Sequence, residues 1–197
     1  FHIDGCRECP AVAFVHREVF MDRNEKGQTE AEFLAQYAQK NYPKPALTAD
    51  IVVFREEQGS LFVLLIRRKN HPFIHRWALP GGFAEAQESL PETAKRELWE
   101  ETGLSDIPLS LVGVYSKPGR DPRGWVVSAA YWALVPKALP LRAADDAAQA
   151  AWFRLTEQNG SLALESDSQR LNGETLAFDH QEILCDAHRK WKMRKSR

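Results

Sequence analysis

Three carboxylates, Glu97, Glu100 and Glu101, stand at i, i+3 and i+4, so a helix through them crowds all three onto one side. Like charges at that spacing cost a helix roughly a few tenths of a kcal/mol per pair. A chain that tolerates the crowding is expected to place a cation there, and hard oxygen donors suit Mg²⁺ or Mn²⁺. This is the footprint of metal-assisted phosphate chemistry, in which a cation neutralises a diphosphate and a carboxylate orients or deprotonates water. Glu97 and Glu101, one turn apart, reach one metal site; Glu100 beside them completes a second site or serves as the base. A solvated acidic helix face would explain the charges, but not the residues around them.

Those residues position the glutamates. Ser89-Leu90-Pro91-Glu92 has the form of a capping box, with Pro91 tolerable in the first turn. Leu90, Ala94 and Leu98 recur every four residues and give the helix an apolar stripe to bury. Gly103 sits where a left-handed residue ends a helix. Upstream, Leu79-Pro80-Gly81-Gly82 breaks a strand and lets backbone approach a bound group. The unit reads strand, glycine loop, helix.

The run over residues 82–104 is Gly82, five residues, Glu88, seven residues, then Arg96-Glu97-Leu98-Trp99-Glu100-Glu101-Thr102-Gly103-Leu104. It resembles the signature of the Nudix hydrolases at every fixed position. The resemblance implies an α-β-α sandwich around a mixed sheet over roughly residues 46–192. It implies metal ligands in Glu97, Glu100, Glu101 and the carbonyl of Gly81, with Glu97, Glu100 and Glu101 also the catalytic set. Glu88 and Arg96 are expected to pair and hold loop to helix, a structural role shared with Gly82 and Gly103. In relatives acting on ADP-ribose the base often comes from a loop before the final strand. Here that stretch carries Gln149, an amide that takes no proton, and Asp145 and Asp146 are its nearest replacements.

Substrate contacts follow from cations near the glycine loop. Residues 117–125 join two strands and are dense in turn formers, and Arg120 and Arg123 are expected to fork onto phosphate. The loop is similar to one in a Nudix subgroup of ADP-ribose pyrophosphatases and the NAD-metabolism regulators related to them. Arg67, at the end of a strand, and Arg76, just before the glycine loop, are further diphosphate contacts. Phe73, Trp77 and Trp125 stack on a base or belong to the core. His71, His75, His180 and His188 lack metal or Ser-His spacing and read as ordinary polar positions.

At 197 residues, 44% hydrophobic and net charge −1, the chain suits one globular domain, residues 46–197, behind an extension over residues 1–45. Near-neutral charge leaves no footprint for nucleic acid, and the basic stretch 189–197 reads as a helix C-terminus. No apolar run approaches the roughly 20 residues of a membrane span. Three cysteines, Cys6, Cys9 and Cys185, argue for a reducing compartment, hence the cytoplasm. Cys6 and Cys9 form a C-x2-C pair without the second pair that a zinc site needs.

The remaining elements are a capped helix at 29–37, a linker at Pro43 and Pro45, a hairpin of strands 47–54 and 61–66, and strands at 77–79, 109–115, 125–134 and 151–155. A last helix spans 179–192 with Asp179 as its cap. Strands mixed with few helices make the fold class α/β (α+β). The expected activity is Mg²⁺-dependent hydrolysis of a nucleoside diphosphate joined to another group, first ADP-ribose to AMP and ribose 5-phosphate. Sugar nucleotides, NADH and oxidised nucleotides stay open. The substrate is a small-molecule nucleotide, and a homodimer is expected from the relatives. The alternative is an ADP-ribose-sensing transcription regulator, against which the stretch after Leu155 is short for a winged helix of roughly 60 to 80 residues.

Overall fold

The computed structural model describes residues 23–135, 147–158, 160–166, 169–172 and 176–196. Cys6, Cys9, Asp145 and Asp146 lie outside them. The chain divides into two compact units, Phe1–Pro43 and Lys44–Arg197. In the first, helix α1 (Glu30–Ala38) begins at a complete capping box. The Glu32 amide donates to Thr29 Oγ1 at 3.3 Å, and the Thr29 amide donates to Glu32 Oε2 at 2.8 Å.

The second unit is an α-β-α sandwich. Its sheet runs β5 (Ser110–Tyr115), β6 (Val126–Val135), β1 (Ala46–Glu57), β2 (Ser60–Arg68), β7 (Ala147–Gln158), β8 (Ser161–Ser166) and β9 (Gln169–Asn172). Two short strands join inside this path, β3 (Trp77–Ala78) on β2 and β4 (Gly81–Phe83) on β1. β1 and β6 are parallel and the other pairs antiparallel, so the sheet is mixed.

β1 is buried on both sides, which is why residues 49–54 read as nearly continuous apolar sequence. Ala49, Ile51 and Val53 pack with Ala94 and Leu98 of α2 (Leu90–Thr102). Val52 and Phe54 point the other way, onto Ile183, Leu184 and Ala187 of α3 (His180–Lys195). The two helices thus cover opposite faces. β1 and β2 join tightly through Gln58 and Gly59, whose φ values of 49° and 76° are those of a primed hairpin turn. Both strands are therefore longer than their apolar runs suggest.

Other elements differ from the sequence reading for physical reasons. Gly81 and Gly82 form strand β4 against Ala49 and Asp50 rather than a free loop. β7 covers more than the expected residues 151–155, because its pairing with β2 carries polar positions such as Gln149 opposite Arg67. β8 and β9 were not evident in their sequence. Among the described residues no helix is long and apolar enough to cross a membrane.

Candidate active site

α2 starts with Glu92 reaching back to Ser89, its Oε2 accepting from the backbone amide at 2.9 Å and from the hydroxyl at 2.5 Å. It stops at Gly103, which takes φ 74° and donates its N–H to the Trp99 carbonyl at 2.8 Å. Between these ends the helix aims Glu97 and Glu101 at the two glycines. Glu101 Oε2 accepts the Gly81 amide at 2.8 Å, and the Glu97 carboxylate lies directly over Gly82, where an added methyl would overlap it.

Arg96 organises the acidic face. It holds Glu88 with two prongs, Nε to Oε1 at 2.9 Å and Nη2 to Oε2 at 3.0 Å. The same guanidinium reaches Glu97 at 2.8 Å, Glu100 at 3.0 Å and the Phe83 carbonyl at 2.9 Å. Glu88 also accepts from the Glu85 amide and the Thr93 hydroxyl. Loop and helix are locked through this one residue. The Arg96 hydrogen bonds pull Glu88 down to about 2.

The cleft beside the glycines encloses about 50 Å³. Its walls include Asp50, Gly81, Gly82, Arg68, Arg123 and Phe178. Burial pushes Glu101 up to about 8, with the charges of Glu97 and Asp50 adding to the shift. Glu97 is raised as well, first by burial. On the facing side, burial and the Arg123 guanidinium both press the Arg68 pKa downwards. Carboxylates that resist ionisation stand opposite cations that repel each other. Glu97 keeps Arg96 and Arg123 keeps Asp121 as ion-pair partners, while Glu101 is held by the Gly81 amide.

The donors fit a hard divalent cation. Oxygens from the buried Glu101 and half-buried Glu97 carboxylates, with backbone carbonyl nearby, are what such an ion takes, and its charge would relieve the cost of ionising Glu101. Among the described residues no three acidic, imidazole or thiol groups stand as a ready-made cage, because Glu97 and Glu100 are drawn to Arg96. A pH dependence follows. Glu101 has a folded value near 8 against an ordinary 4.5, so from pH 4.5 to 8 the native state binds more protons than the unfolded one. Metal-free stability should therefore fall as pH rises through that window. Thermal melts from pH 5 to 8.5 with EDTA should show the decline, and Mg²⁺ or Mn²⁺ should reverse it most at the alkaline end; a decline indifferent to metal would contradict this account.

The profile of the NUDIX domain matches residues 44–171, the unit that carries this cleft. The chain belongs to the Nudix family. It is 40% identical over 151 residues to the ADP-ribose pyrophosphatase of Methanocaldococcus jannaschii, covering 77% of each chain. It is 37% identical over 161 residues to the ADPR responsive transcriptional repressor NtrR of Acinetobacter baylyi, which is 81% of this chain and 59% of the repressor. The match thus spans under two thirds of that relative's length. The NUDIX domain of Shewanella oneidensis NrtR complexed with ADP ribose superposes with a TM-score of 0.67 at 30% identity, covering 83% of this chain and 99% of that one.

Within the Nudix signature, the structure brings Glu97, Glu101, Gly81 and Gly82 together. Glu100 leans outwards onto Arg96, its side chain 45% exposed, so it stands on the rim rather than in the cleft. Arg120 needs a correction. Its fork is not open to phosphate but filled by Asp179, at 2.7 and 2.6 Å, with the side chain only 4% exposed. Asp179 correspondingly does not cap α3 with its carboxylate. Arg123 is tied to Asp121 at 2.6 Å yet stays partly exposed, its guanidinium lying over Phe83 and Phe178. Arg67 donates to the His75 carbonyl, Arg76 lies over Phe73, and neither lines the cleft. Trp77 is core, Phe73 packs edge-on to Phe178, and Trp125 is exposed.

The places of Asp50, Phe178 and His180 at the site are not evident in the sequence. Asp50 carried a usable signal, a lone acid within a buried apolar strand. Its carboxylate accepts the Ser128 hydroxyl at 2.5 Å and lies 3.5 Å from His180 Nε2 and 3.6 Å from Arg120. His180 is a buried acceptor, not an ordinary surface histidine: its Nδ1 accepts the Leu79 amide at 2.9 Å.

Proposed function

We propose that this chain is a divalent-metal-dependent pyrophosphatase that hydrolyses ADP-ribose to AMP and ribose 5-phosphate, using Mg²⁺ or Mn²⁺. The observation that carries the reading is a cleft lined by Gly81, Gly82 and two guanidiniums, Arg68 and Arg123, with the Glu97 and Glu101 carboxylates set against its two glycines. A diphosphate entering this cleft would meet both guanidiniums. The kinship to an ADP-ribose pyrophosphatase and to a domain seen with ADP ribose supplies the substrate.

Glu97, Glu101 and the Gly81 carbonyl would hold the ion, with Glu100 reaching in from the rim. When bound, the cation supplies charge neutralisation of the diphosphate and a more acidic water. The protein's own residues do the rest. Arg68 and Arg123 take the phosphate oxygens that face away from the glutamates. Arg96 keeps Glu97 over Gly82, and Phe178 gives both guanidiniums a surface to lie on, at 4.9 and 5.4 Å. A water molecule attacks one phosphorus and the other phosphate leaves, so one water is consumed and no covalent intermediate forms.

The repressor supports a second reading, in which the same cleft binds ADP-ribose without cleaving it. One assay separates the two. Product release should be measured across ADP-ribose, NADH, a sugar nucleotide and an oxidised nucleoside triphosphate, with and without Mg²⁺. The enzyme reading expects metal-dependent AMP formation, fastest with ADP-ribose. A thermal shift by ADP-ribose with no AMP formed would transfer the chain to the sensor class.

A further inference from the structure

Three consecutive side chains at the start of α3 each grip a different wall of the cleft. Phe178 lies between Arg68 and Arg123, Asp179 holds Arg120 in a two-pronged pair, and His180 accepts the Leu79 amide. Phe178 has φ 53°, a left-handed conformation that an aromatic residue keeps only where the surroundings enforce it. The surroundings here are backbone bonds: the Ala177 amide donates to the Trp77 carbonyl at 2.8 Å, and Leu176 bridges to Trp77 in parallel. This turn thus continues alongside β3 and meets the glycine loop where it begins.

The His180 contact is the most consequential of the three. Because Leu79 donates to Nδ1, that nitrogen carries no proton, and the neutral ring bears its hydrogen on Nε2. Nε2 faces Asp50 Oδ1 at 3.5 Å. Asp50 in turn lies against Gly81, where an added Cβ would come within 2.9 Å of both its Cα and Oδ1. Downstream of Leu79, the Pro80 carbonyl accepts the Ile51 amide at 2.8 Å and the Gly81 amide goes to Glu101. His180, the Ile51 amide and Glu101 thus each hold a backbone group of the stretch leading into Gly81, and His180 holds the first.

We propose that His180 is a positioning residue for the metal site: by accepting the amide of Leu79, 101 positions away in sequence, it sets the direction of the Gly81 carbonyl. This rests on the proposed function only in taking that carbonyl as a metal ligand. It requires no contact between the imidazole and ion or substrate. The important property is one acceptor at the Nδ1 position. An asparagine carbonyl can occupy that position, whereas a glutamine carbonyl falls nearer Nε2, and leucine offers no acceptor.

The test is Mn²⁺ binding to the purified full chain, followed by electron paramagnetic resonance, alongside kcat and KM for ADP-ribose. His180→Leu should weaken Mn²⁺ binding about tenfold and lower kcat comparably with little change in KM, the size usual for residues that orient ligands from behind. His180→Asn should stay within about twofold of the parent protein on the same orienting logic. Equal Mn²⁺ affinity in the parent and His180→Leu would overturn the proposal. Should the leucine variant fail to fold, the comparison of His180→Asn with His180→Gln decides: Asn near the parent and Gln weakened supports it, and equal affinity in both overturns it. A parent protein that binds Mn²⁺ but does not cleave ADP-ribose would sink the proposed function and leave this inference standing.

Discussion

Glu101→Gln should lower turnover of ADP-ribose at least a hundredfold at saturating Mg²⁺, while the metal-free protein melts no lower than the parent. A hundredfold corresponds to about 2.7 kcal/mol of transition-state stabilisation. The two halves of this result come from one geometry. Glutamine keeps an oxygen to accept the Gly81 amide and fills the same space, so packing around the loop survives. It removes a buried charge that burial, Glu97 and Asp50 all oppose, so the apo fold loses nothing and gains at alkaline pH. What disappears is an anionic ligand. A loss of activity with equal or better stability marks a group placed for chemistry at the expense of the fold. Glu97→Gln should cost similar activity but also weaken the Arg96 cluster, so its melting temperature should fall slightly. Steady-state kinetics and melting of the two variants, with unchanged turnover in either, would remove the assignment.

The two glycines should separate cleanly under alanine substitution. At Gly82 an added methyl would overlap the Glu97 carboxylate, lying 2.5 Å from its carboxyl carbon, and that side chain can swing aside. Gly82→Ala should therefore lower turnover at least about tenfold through a displaced ligand. Its stability should change little. At Gly81 the methyl would overlap the Ala49 carbonyl oxygen and stand 2.9 Å from Asp50 Cα, and φ is 152°. Nothing there can swing aside, because the obstacle is the backbone of β1. Strain and overlap together should cost about 3 kcal/mol or more. In a domain of this size that is a drop in melting temperature of roughly 6–12 °C. Calorimetry and kinetics on the same preparations check the contrast; the reverse order, Gly82→Ala unstable and Gly81→Ala merely slow, would contradict the placement of the glutamates.

How much of this was legible in the residues depends on how local each interaction is. α2 was readable because Ser89, Glu92 and Gly103 act within one turn of themselves. The same holds for the Thr29 and Glu32 box of α1. The central strand announced itself through continuous burial. The choice between Arg67 and Arg68 was not readable: strand alternation sends one of them into the cleft, and the register against β7 shifts between these two residues. Asp179 looked like a helix cap since Asp before a helix usually is, yet Arg120, 59 positions upstream, outcompetes the backbone for it. Asp50 and Ser128 meet only because β1 and β6 run parallel, and His180 reaches Leu79 only because α3 starts beside β3. Such contacts belong to the topology, which periodicity alone does not encode.

The most direct measurement of the central claim is anomalous diffraction from crystals of the protein soaked in Mn²⁺. The account predicts a peak enclosed by the Glu97 and Glu101 carboxylates and the Gly81 carbonyl, with Arg68 and Arg123 across the cleft. Well-ordered side chains with no anomalous density between them, at Mn²⁺ concentrations that support turnover, would contradict it.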